Sequence, residues 1–130
     1  MDNFFTTDGL AAWRGHLLHS TDFAEAARGW SGTLLLRESA TGGDPRRAWI
    51  SLEDGRLLEL RVGTDEDEAV AEFVLAAEAE IWRSLVDGSR DLAKAAFTGE
   101  LRLERGSVLR LLPHARAAAA LLRAARGAAM

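Results

Sequence analysis

The stretch from Ala71 to Glu104 carries the clearest hydrophobic pattern in the chain. Apolar and polar residues alternate with a period of 2 over residues 71–77 and again over 100–104, which is typical of strands. Between them, residues 80–88 and 91–99 place apolar side chains at the helical period of 3.6, and each segment ends on a glycine. The pattern predicts a strand, two short helices closed by glycines, and a returning strand.

Two helices are predicted ahead of this segment. Leucines and a tryptophan recur at helical spacing over residues 10–18, and Asp8 is the expected N-cap. A second, short helix is predicted over residues 22–28, because Gly29 stands where a C-terminal glycine belongs. Together these helices would cover one face or one end of a sheet.

Three more strands are predicted over residues 33–37, 48–52 and 58–62. Asp54-Gly55 lies between the second and the third, and this pair favours a tight turn in which both central residues have positive φ. These two strands should therefore pair antiparallel. The complete order of elements predicts an α+β fold, with a mostly antiparallel five-stranded sheet and helices packed on one face.

Alternation along the predicted strands assigns their apolar side chains to two faces. The core face should carry Leu34, Leu36, Ala48, Ile50, Leu52, Leu58, Leu60, Val62, Phe73, Leu75, Leu101 and Leu103. The outer face also carries four apolar residues, namely Leu35, Trp49, Leu57 and Val74. Two interpretations of these four stay open: scattered surface hydrophobic residues, or a contiguous patch for dimerisation or docking.

Two further segments complete the pattern. Residues 64–68 are an acidic run that lacks the glycine and the ligand spacing of a calcium loop, so we expect a solvated turn. After Gly106, apolar residues recur at helical spacing as far as Leu122, but Pro113 interrupts them. We expect either a short helical turn followed by a new helix with Pro113 near its first position, or one kinked helix.

Composition narrows the class of protein. A length of 130 residues suits a single domain spanning residues 1–130, and the absence of cysteine excludes a disulfide framework. The net charge of -4, with both signs mixed, argues against a nucleic-acid partner. Lys94 is the only lysine, and an Arg- and Ala-rich composition of this kind is bacterial-like. No segment has the pattern of a signal peptide or a membrane span, so we expect a cytoplasmic location.

The central segment resembles a known family. Residues 95–103 (AAFTGELRL) resemble the Ala-x-x-x-Gly-x-Leu-x-Ile segment of sterol carrier protein 2 (SCP-2) domains. Residues 71–75 and 82–88 resemble the preceding strand and the Leu-x-x-Gly helix end of that family. The family continues with Gly-Asp directly after the last strand, whereas here Arg105 comes first. The resemblance covers most of the chain from about residue 30 onward and implies an SCP-2-like fold.

This resemblance implies a function. Members of the family enclose an apolar tunnel and bind sterols, fatty acids or acyl-CoA esters, so it implies non-catalytic binding or transfer of an apolar lipid, with no cofactor. The candidate lipid contacts are the large apolar residues on the flanking elements: Phe73, Leu75, Ile81, Trp82, Leu85, Phe97, Leu111, Leu112, Leu121 and Leu122. Ordinary core packing would explain each of them as well. The alanines of the last helix either leave room for a ligand or permit close packing.

Charged residues offer two further candidate sites. Arg46 and Arg47 are candidate contacts for an anionic head group, because Arg binds carboxylates and phosphates in a bidentate manner. A solvated strand start would also explain them. His16 and His19 have a spacing that can present metal ligands, but surface histidines account for that spacing, and we expect no metal site.

Two alternatives to lipid binding remain open at this point. One is an accessory domain with a collapsed cavity that forms a homodimer through the outer sheet face around Trp49. The other is an enzyme that uses the pocket as a reaction chamber, with His16, His19 or an acidic residue as acid or base. In the lipid-binding interpretation, the arginines of the last helix are expected to allow peripheral contact with an anionic membrane.

Overall fold

A computed structural model describes residues 5–39 and 45–126. These residues form five strands and seven helices. The strands are β1 (Gly32–Ser39), β2 (Arg46–Glu53), β3 (Arg56–Val62), β4 (Phe73–Glu78) and β5 (Arg102–Arg105). The helices are α1 (Thr7–Leu18), α2 (Thr21–Ala26), α3 (Asp65–Val70), α4 (Ala79–Asp87), α5 (Leu92–Thr98), α6 (Val108–Leu111) and α7 (Ala115–Ala124), with a 3₁₀ turn at Leu112–His114.

The segment with the clearest hydrophobic pattern has the predicted structure. It forms β4, α4, α5 and β5 in that order. Gly88 and Gly99 follow the two helices with φ of 85° and 84°, a left-handed conformation that glycine adopts without a steric penalty. Asp91 caps α5, because its carboxylate accepts a hydrogen bond of 2.9 Å from the Lys94 main-chain N–H. Local sequence signals therefore set both ends of these short helices.

The predicted hairpin between β2 and β3 is confirmed. Asp54 and Gly55 have φ of 50° and 78°, so both central residues of the turn are in the left-handed region. The turn packs against the connection between α2 and β1, where the Gly55 N–H donates to the Trp30 carbonyl at 2.8 Å. A Cβ atom at Gly55 would lie 2.6 Å from the Ala27 carbonyl oxygen, so this position has no room for a side chain.

The sheet is mixed, and this corrects the prediction of a mostly antiparallel one. Its strand order is β3-β2-β1-β4-β5, and β1 pairs parallel with β4, while the other three neighbouring pairs are antiparallel. Strand β3 lies at one edge, and the chain must cross two strands before β4 can pair with β1. Parallel strands need such a crossover connection, and α3 forms part of it.

Helix α3 also corrects the interpretation of the acidic run. Thr64 and Asp67 form a capping box: the Thr64 hydroxyl accepts from the Asp67 N–H at 3.1 Å, and the Asp67 carboxylate accepts from the Thr64 N–H at 2.9 Å. The acidic residues of the first turn face the positive end of the helix dipole. The run therefore begins a helix and is not a solvated turn.

The outer sheet face is covered, so both interpretations of its apolar residues as surface residues are wrong. Leu35, Trp49 and Val74 are 0%, 7% and 2% exposed, and they form a small second core with Ala71. Helix α3 is held across this face by ion pairs to the sheet. The predicted homodimer through Trp49 required an exposed apolar patch, and these residues do not form one. Helices consequently lie on both faces of the sheet, α3 on the outer one.

Leu57 differs from the other predicted outer residues because β3 has an irregular register. A bulge shifts the pairing after Ser51, so that Leu57 rather than Leu58 lies opposite Leu52. Leu57 packs against the main core, whereas Leu58 is 51% exposed. Simple alternation from Leu60 backwards places both residues on the wrong face.

The main core lies between the inner sheet face and the remaining helices. Its largest fully buried side chains include Trp13, Trp30, Trp82 and Phe73. Around Pro113 the chain forms a short helix, a 3₁₀ turn and then α7, as the first of the two predictions for this region described. Within residues 5–39 and 45–126, no helix is both long and apolar enough to cross a membrane.

Candidate functional site

A cavity of ≈ 270 Å³ lies between the inner sheet face and the helices of the C-terminal half. The sheet contributes residues of β1, β4 and β5, and the opposite walls come from α4, α5, α6, the 3₁₀ turn and α7. All of the lining residues except Asp91 and Arg116 carry apolar side chains: Leu34, Leu36, Leu75, Trp82, Leu92, Ala93, Ala96, Leu101, Leu103, Val108, Leu111, Leu112, Ala115, Ala118, Ala119, Leu121 and Leu122.

The parallel pairing of β1 with β4 builds the sheet wall. It places Leu36 directly beside Leu75, so two leucines from distant parts of the sequence form a continuous apolar surface. Strand β5 continues that surface, because Leu103 lies opposite Leu75. Side chains on one face of a sheet alternate with those on the other, so this wall is the inner face throughout.

Small residues on α7 leave the space open. Ala115, Ala118 and Ala119 line the cavity from this helix, and longer side chains at these positions would extend into it. Leu121 and Leu122 follow on the same helix and are buried. An apolar cavity of this kind is the usual form of a small-molecule site, although its volume is just below the ~300 Å³ at which such pockets typically begin.

Trp82 has a fixed orientation in the cavity wall. Its indole Nε1–H donates a hydrogen bond of 2.9 Å to the main-chain carbonyl of Arg37, and the residue is 1% exposed. This bond ties α4 to β1 and satisfies the one polar group of the side chain. The rest of the indole is therefore available as an apolar surface.

Arg116 connects the cavity with a second, polar space. A groove of ≈ 320 Å³ runs between α2 and α7, and it is lined by Asp22, Glu25, Ala26, Arg116, Ala119 and Arg123. Arg116 and Ala119 line both the cavity and this groove. The other charged cavity residue, Asp91, already accepts the capping hydrogen bond at the start of α5. Arg116 thus stands where an apolar space meets a polar one.

Solved structures share this architecture. A crystal structure of sterol carrier protein 2 superposes with a TM-score of 0.84 and 28% sequence identity, over 94% of this chain and 96% of that one. The solution structure of a conserved hypothetical protein from Thermus thermophilus superposes with a TM-score of 0.82 and 29% identity, over 96% of this chain and 89% of that one. The chain is an SCP-2-like domain.

The resemblance seen in residues 95–103 is therefore confirmed by structure. Sterol carrier protein 2 from Yarrowia lipolytica, in its apo form, shares the fold at lower identity: the TM-score is 0.65 at 19% identity, over 97% of this chain and 95% of that one. No protein-family model and no curated protein sequence matches the chain.

The SCP-2-like domain brings six of the ten sequence-predicted contact residues to the cavity. They are Leu75, Trp82, Leu111, Leu112, Leu121 and Leu122. The other four lie elsewhere. Phe73 and Leu85 are buried in the core, Ile81 is half-buried against it, and Phe97 is 84% exposed on α5.

Sequence reasoning missed part of the wall. Leu34, Leu36, Leu92, Leu101, Leu103 and Val108 line the cavity together with several alanines. For the two β1 residues a signal existed, because alternation places them on the core face. What was missing was the pairing of β1 with β4, which no local pattern specifies. Arg116 was also missed, since nothing in the sequence distinguishes it from the other arginines of the last helix.

The two arginines proposed as head-group contacts lie away from the cavity lining. Arg47 donates to Glu68 at 2.8 Å and pairs with Asp65 at 2.7 Å, so its guanidinium is bound to α3 on the outer sheet face. The hydrogen bond from Arg47 is the main cause that holds the pKa of the Glu68 carboxyl below its usual range, and the nearby charge of Arg37 lowers this pKa further. Arg46 is exposed at the start of β2. Neither residue lines the cavity.

The two histidines of α1, His16 and His19, are both exposed. Across the described ranges, no group of three or more His, Asp or Glu side chains is placed to hold a metal ion. His19 Nδ1 lies 2.9 Å from the Gly15 carbonyl oxygen within its own helix. His16 and His19 also do not line the cavity, whose described lining contains no histidine.

Proposed function

We propose that this SCP-2-like domain binds one apolar lipid molecule in the cavity and transfers it between membranes or proteins. The observation that carries the proposal is the cavity lining, which is apolar at every position except Asp91 and Arg116. Transfer of a hydrocarbon chain from water into such a space is favourable by about 0.8 kcal/mol for each buried methylene. The similarity to sterol carrier protein 2 supports the same function.

Ligand displacement with a cavity-filling variant tests this proposal. Ala96 is exposed on α5 and lines the cavity, so Ala96→Trp adds bulk inside the site without disturbing the core. We expect this variant to weaken binding of Nile red and of competing lipids by at least about tenfold, because losing contact with two methylenes alone costs about 1.6 kcal/mol. Native mass spectrometry of the wild-type protein should also detect a co-purified lipid.

The matched control is Ala24→Trp, which places the same side chain on an exposed position of α2 away from the cavity. It should bind lipid like the wild-type protein. If Ala96→Trp also binds lipid with unchanged affinity, the cavity is not the binding site and the proposal fails.

We also propose that α5 and α6 contact the membrane during lipid transfer. Phe97 and Leu109 are 84% and 78% exposed, and each follows directly after a cavity-lining residue, Ala96 and Val108 respectively. Large apolar side chains so exposed insert readily into the interface of a bilayer. Lys94, one turn before Phe97 and exposed, would be attracted to anionic lipids. We propose a cytoplasmic location for this protein, as the sequence predicts.

Co-sedimentation with vesicles of phosphatidylcholine and phosphatidylglycerol tests the membrane contact. The double variant Phe97→Ser/Leu109→Ser should reduce vesicle binding roughly tenfold, because it removes the apolar area that inserts. The control is Val70→Ser, since Val70 is 71% exposed but lies on α3, which packs on the opposite sheet face. Equal loss of vesicle binding in the control would show that general surface hydrophobicity, and not the exposed side chains of Phe97 and Leu109, causes the binding.

A further inference from the structure

We propose that Arg116 binds the anionic head group of a single-chain lipid whose hydrocarbon chain lies in the cavity. This inference rests on the proposed lipid-binding function and adds the chemical class of ligand. Among the described residues that line the cavity, Arg116 is the only one with a positive charge. It also lines the polar groove next to the cavity, so a head group held there would remain in contact with water.

The side chain of Arg suits this boundary position. Its methylene stem packs on apolar surface while the guanidinium stays in a polar environment. The planar guanidinium presents paired N–H donors that match the oxygens of a carboxylate or a phosphate. An amphipathic ligand matches the two spaces that meet at Arg116: its hydrocarbon chain fits the apolar cavity, and its charged head group fits the polar groove.

Arg116 is also free to take an external anion. It forms no ion pair with any residue of 5–39 or 45–126, although Asp22 and Glu25 line the same groove. Arginines on the outer sheet face differ in this respect, since Arg47 is bound by two carboxylates. The guanidinium of Arg116 would therefore not have to leave a protein partner in order to bind a ligand.

The size of the cavity agrees with a single chain. Its volume of ≈ 270 Å³ is near the lower limit of about 300 Å³ for small-molecule pockets. A flexible hydrocarbon chain can follow such a space and leave its head group at the edge. A rigid ring system would need the walls to move apart, and these walls are tied by bonds such as that from Trp82 to Arg37.

The test compares ligands that differ only in the head group. Displacement of Nile red by dodecanoate, dodecyl phosphate and dodecanol is measured for the wild-type protein, Arg116→Gln and Arg116→Lys. We expect Arg116→Gln to weaken binding of at least one of the two anions on the order of fivefold, a limit set by the exposure of the guanidinium to water. Dodecanol should change less than about twofold, and Arg116→Lys should restore part of the anion affinity because it keeps the charge.

Arg123→Gln is the matched control, because Arg123 lies on the same helix and lines the groove but not the cavity. Because Arg123 lines the groove but not the cavity, its loss should weaken binding of the two anions less than Arg116→Gln does and should leave dodecanol binding unchanged. The ratio of dodecanoate to dodecyl phosphate affinity in the wild-type protein identifies which anion Arg116 prefers. Far-ultraviolet circular dichroism confirms that the variants are folded.

Three results would overturn the inference. An equal loss of affinity for dodecanol and for both anions in Arg116→Gln would show that Arg116 acts only through packing. An equal loss in Arg123→Gln would show that only the general charge of the helix matters. If the wild-type protein binds none of the three ligands, the proposed lipid binding itself fails, a result distinct from binding without head-group selection.

Discussion

The indole Nε1–H of Trp13 donates a hydrogen bond of 2.8 Å to the main-chain carbonyl oxygen of Leu121. The two residues are 108 positions apart, and both are buried. Trp13 lies in α1, whereas Leu121 lies in the part of α7 that lines the cavity. The bond therefore fixes the N-terminal helix to a wall of the site.

Loss of this bond should destabilise the fold. We expect Trp13→Phe to lower the free energy of unfolding by about 1–3 kcal/mol, because it leaves the Leu121 carbonyl buried without this donor. Urea denaturation measures the change. The matched comparison is Trp49→Phe, since Trp49 donates to the Glu59 carboxylate at 3.2 Å, where water can replace the indole. Equal losses for both variants would argue against the special role of the buried carbonyl.

Ligand binding should be reported by one tryptophan. Of Trp13, Trp30, Trp49 and Trp82, only Trp82 lines the cavity in the described structure. We expect a bound lipid to shift the emission spectrum of the wild-type protein and Trp82→Phe to lose most of that shift. Trp30→Phe should keep it, because Trp30 stacks on His114 and neither residue lines the cavity. A full shift in Trp82→Phe would place the ligand somewhere else.

Two glycine substitutions should have opposite effects on stability. Gly55→Ala introduces a Cβ 2.6 Å from the Ala27 carbonyl oxygen at a residue with φ of 78°, and we expect a loss of about 1–3 kcal/mol. Gly15→Ala lies within α1, where a Cβ meets nothing within 4 Å, and should stabilise by about 0.5–1 kcal/mol. Thermal denaturation measures both. A neutral Gly55→Ala would mean that the turn relaxes easily.

The ion pairs of α3 should make stability depend on pH. The pKa values of Asp67 and Glu68 are lowered in the folded protein, chiefly by hydrogen bonds from Arg61 and Arg47 respectively. A carboxylate with a lowered folded pKa stabilises the fold above its unfolded pKa, which is ~4.3 for Glu, and this contribution disappears as the pH falls through the folded value. The free energy of unfolding should therefore decrease below about pH 5.

Glu68→Gln should reduce this dependence. We expect it to lower the free energy of unfolding at neutral pH by up to about 1 kcal/mol and to make the decrease at acidic pH shallower. The control is Glu66→Gln, because Glu66 is exposed in the same helix and has no ion pair in the part of the chain that the structure describes. The same acid profile in both variants would show that the pairs of Glu68 contribute nothing measurable.

Much of the secondary structure was predictable because its signals are local. Gly88 and Gly99 end α4 and α5, and the Asp54-Gly55 pair forms the hairpin turn. The break at Pro113 was also visible, since proline removes a helix donor in any context. The acidic run is an exception: its capping box is local too, but five residues without an apolar side chain have no hydrophobic period that predicts a helix.

The failures on the sheet have another origin. Leu58 was assigned to the core and Leu57 to the surface because simple alternation does not include the bulge in β3. Leu35 and Val74 are buried together with Ala71, which directly follows α3, and the hydrophobic pattern does not predict that helix. In both cases the burial of a side chain depends on how separate segments pack on the sheet, which alternation along one strand does not specify.

The sequence by itself therefore determined the number, order and ends of most elements, because turns, caps and the hydrophobic period act within a few residues. Residues 95–103 also indicated the family that the chain resembles. Only the tertiary structure decided that β1 pairs parallel with β4, which brings Leu36 beside Leu75, and that α7 lies opposite them. The cavity exists only after these distant segments meet. Its volume and the position of Arg116 at its edge depend on which side chains fail to fill the space, and that is a property of packing, not of sequence pattern.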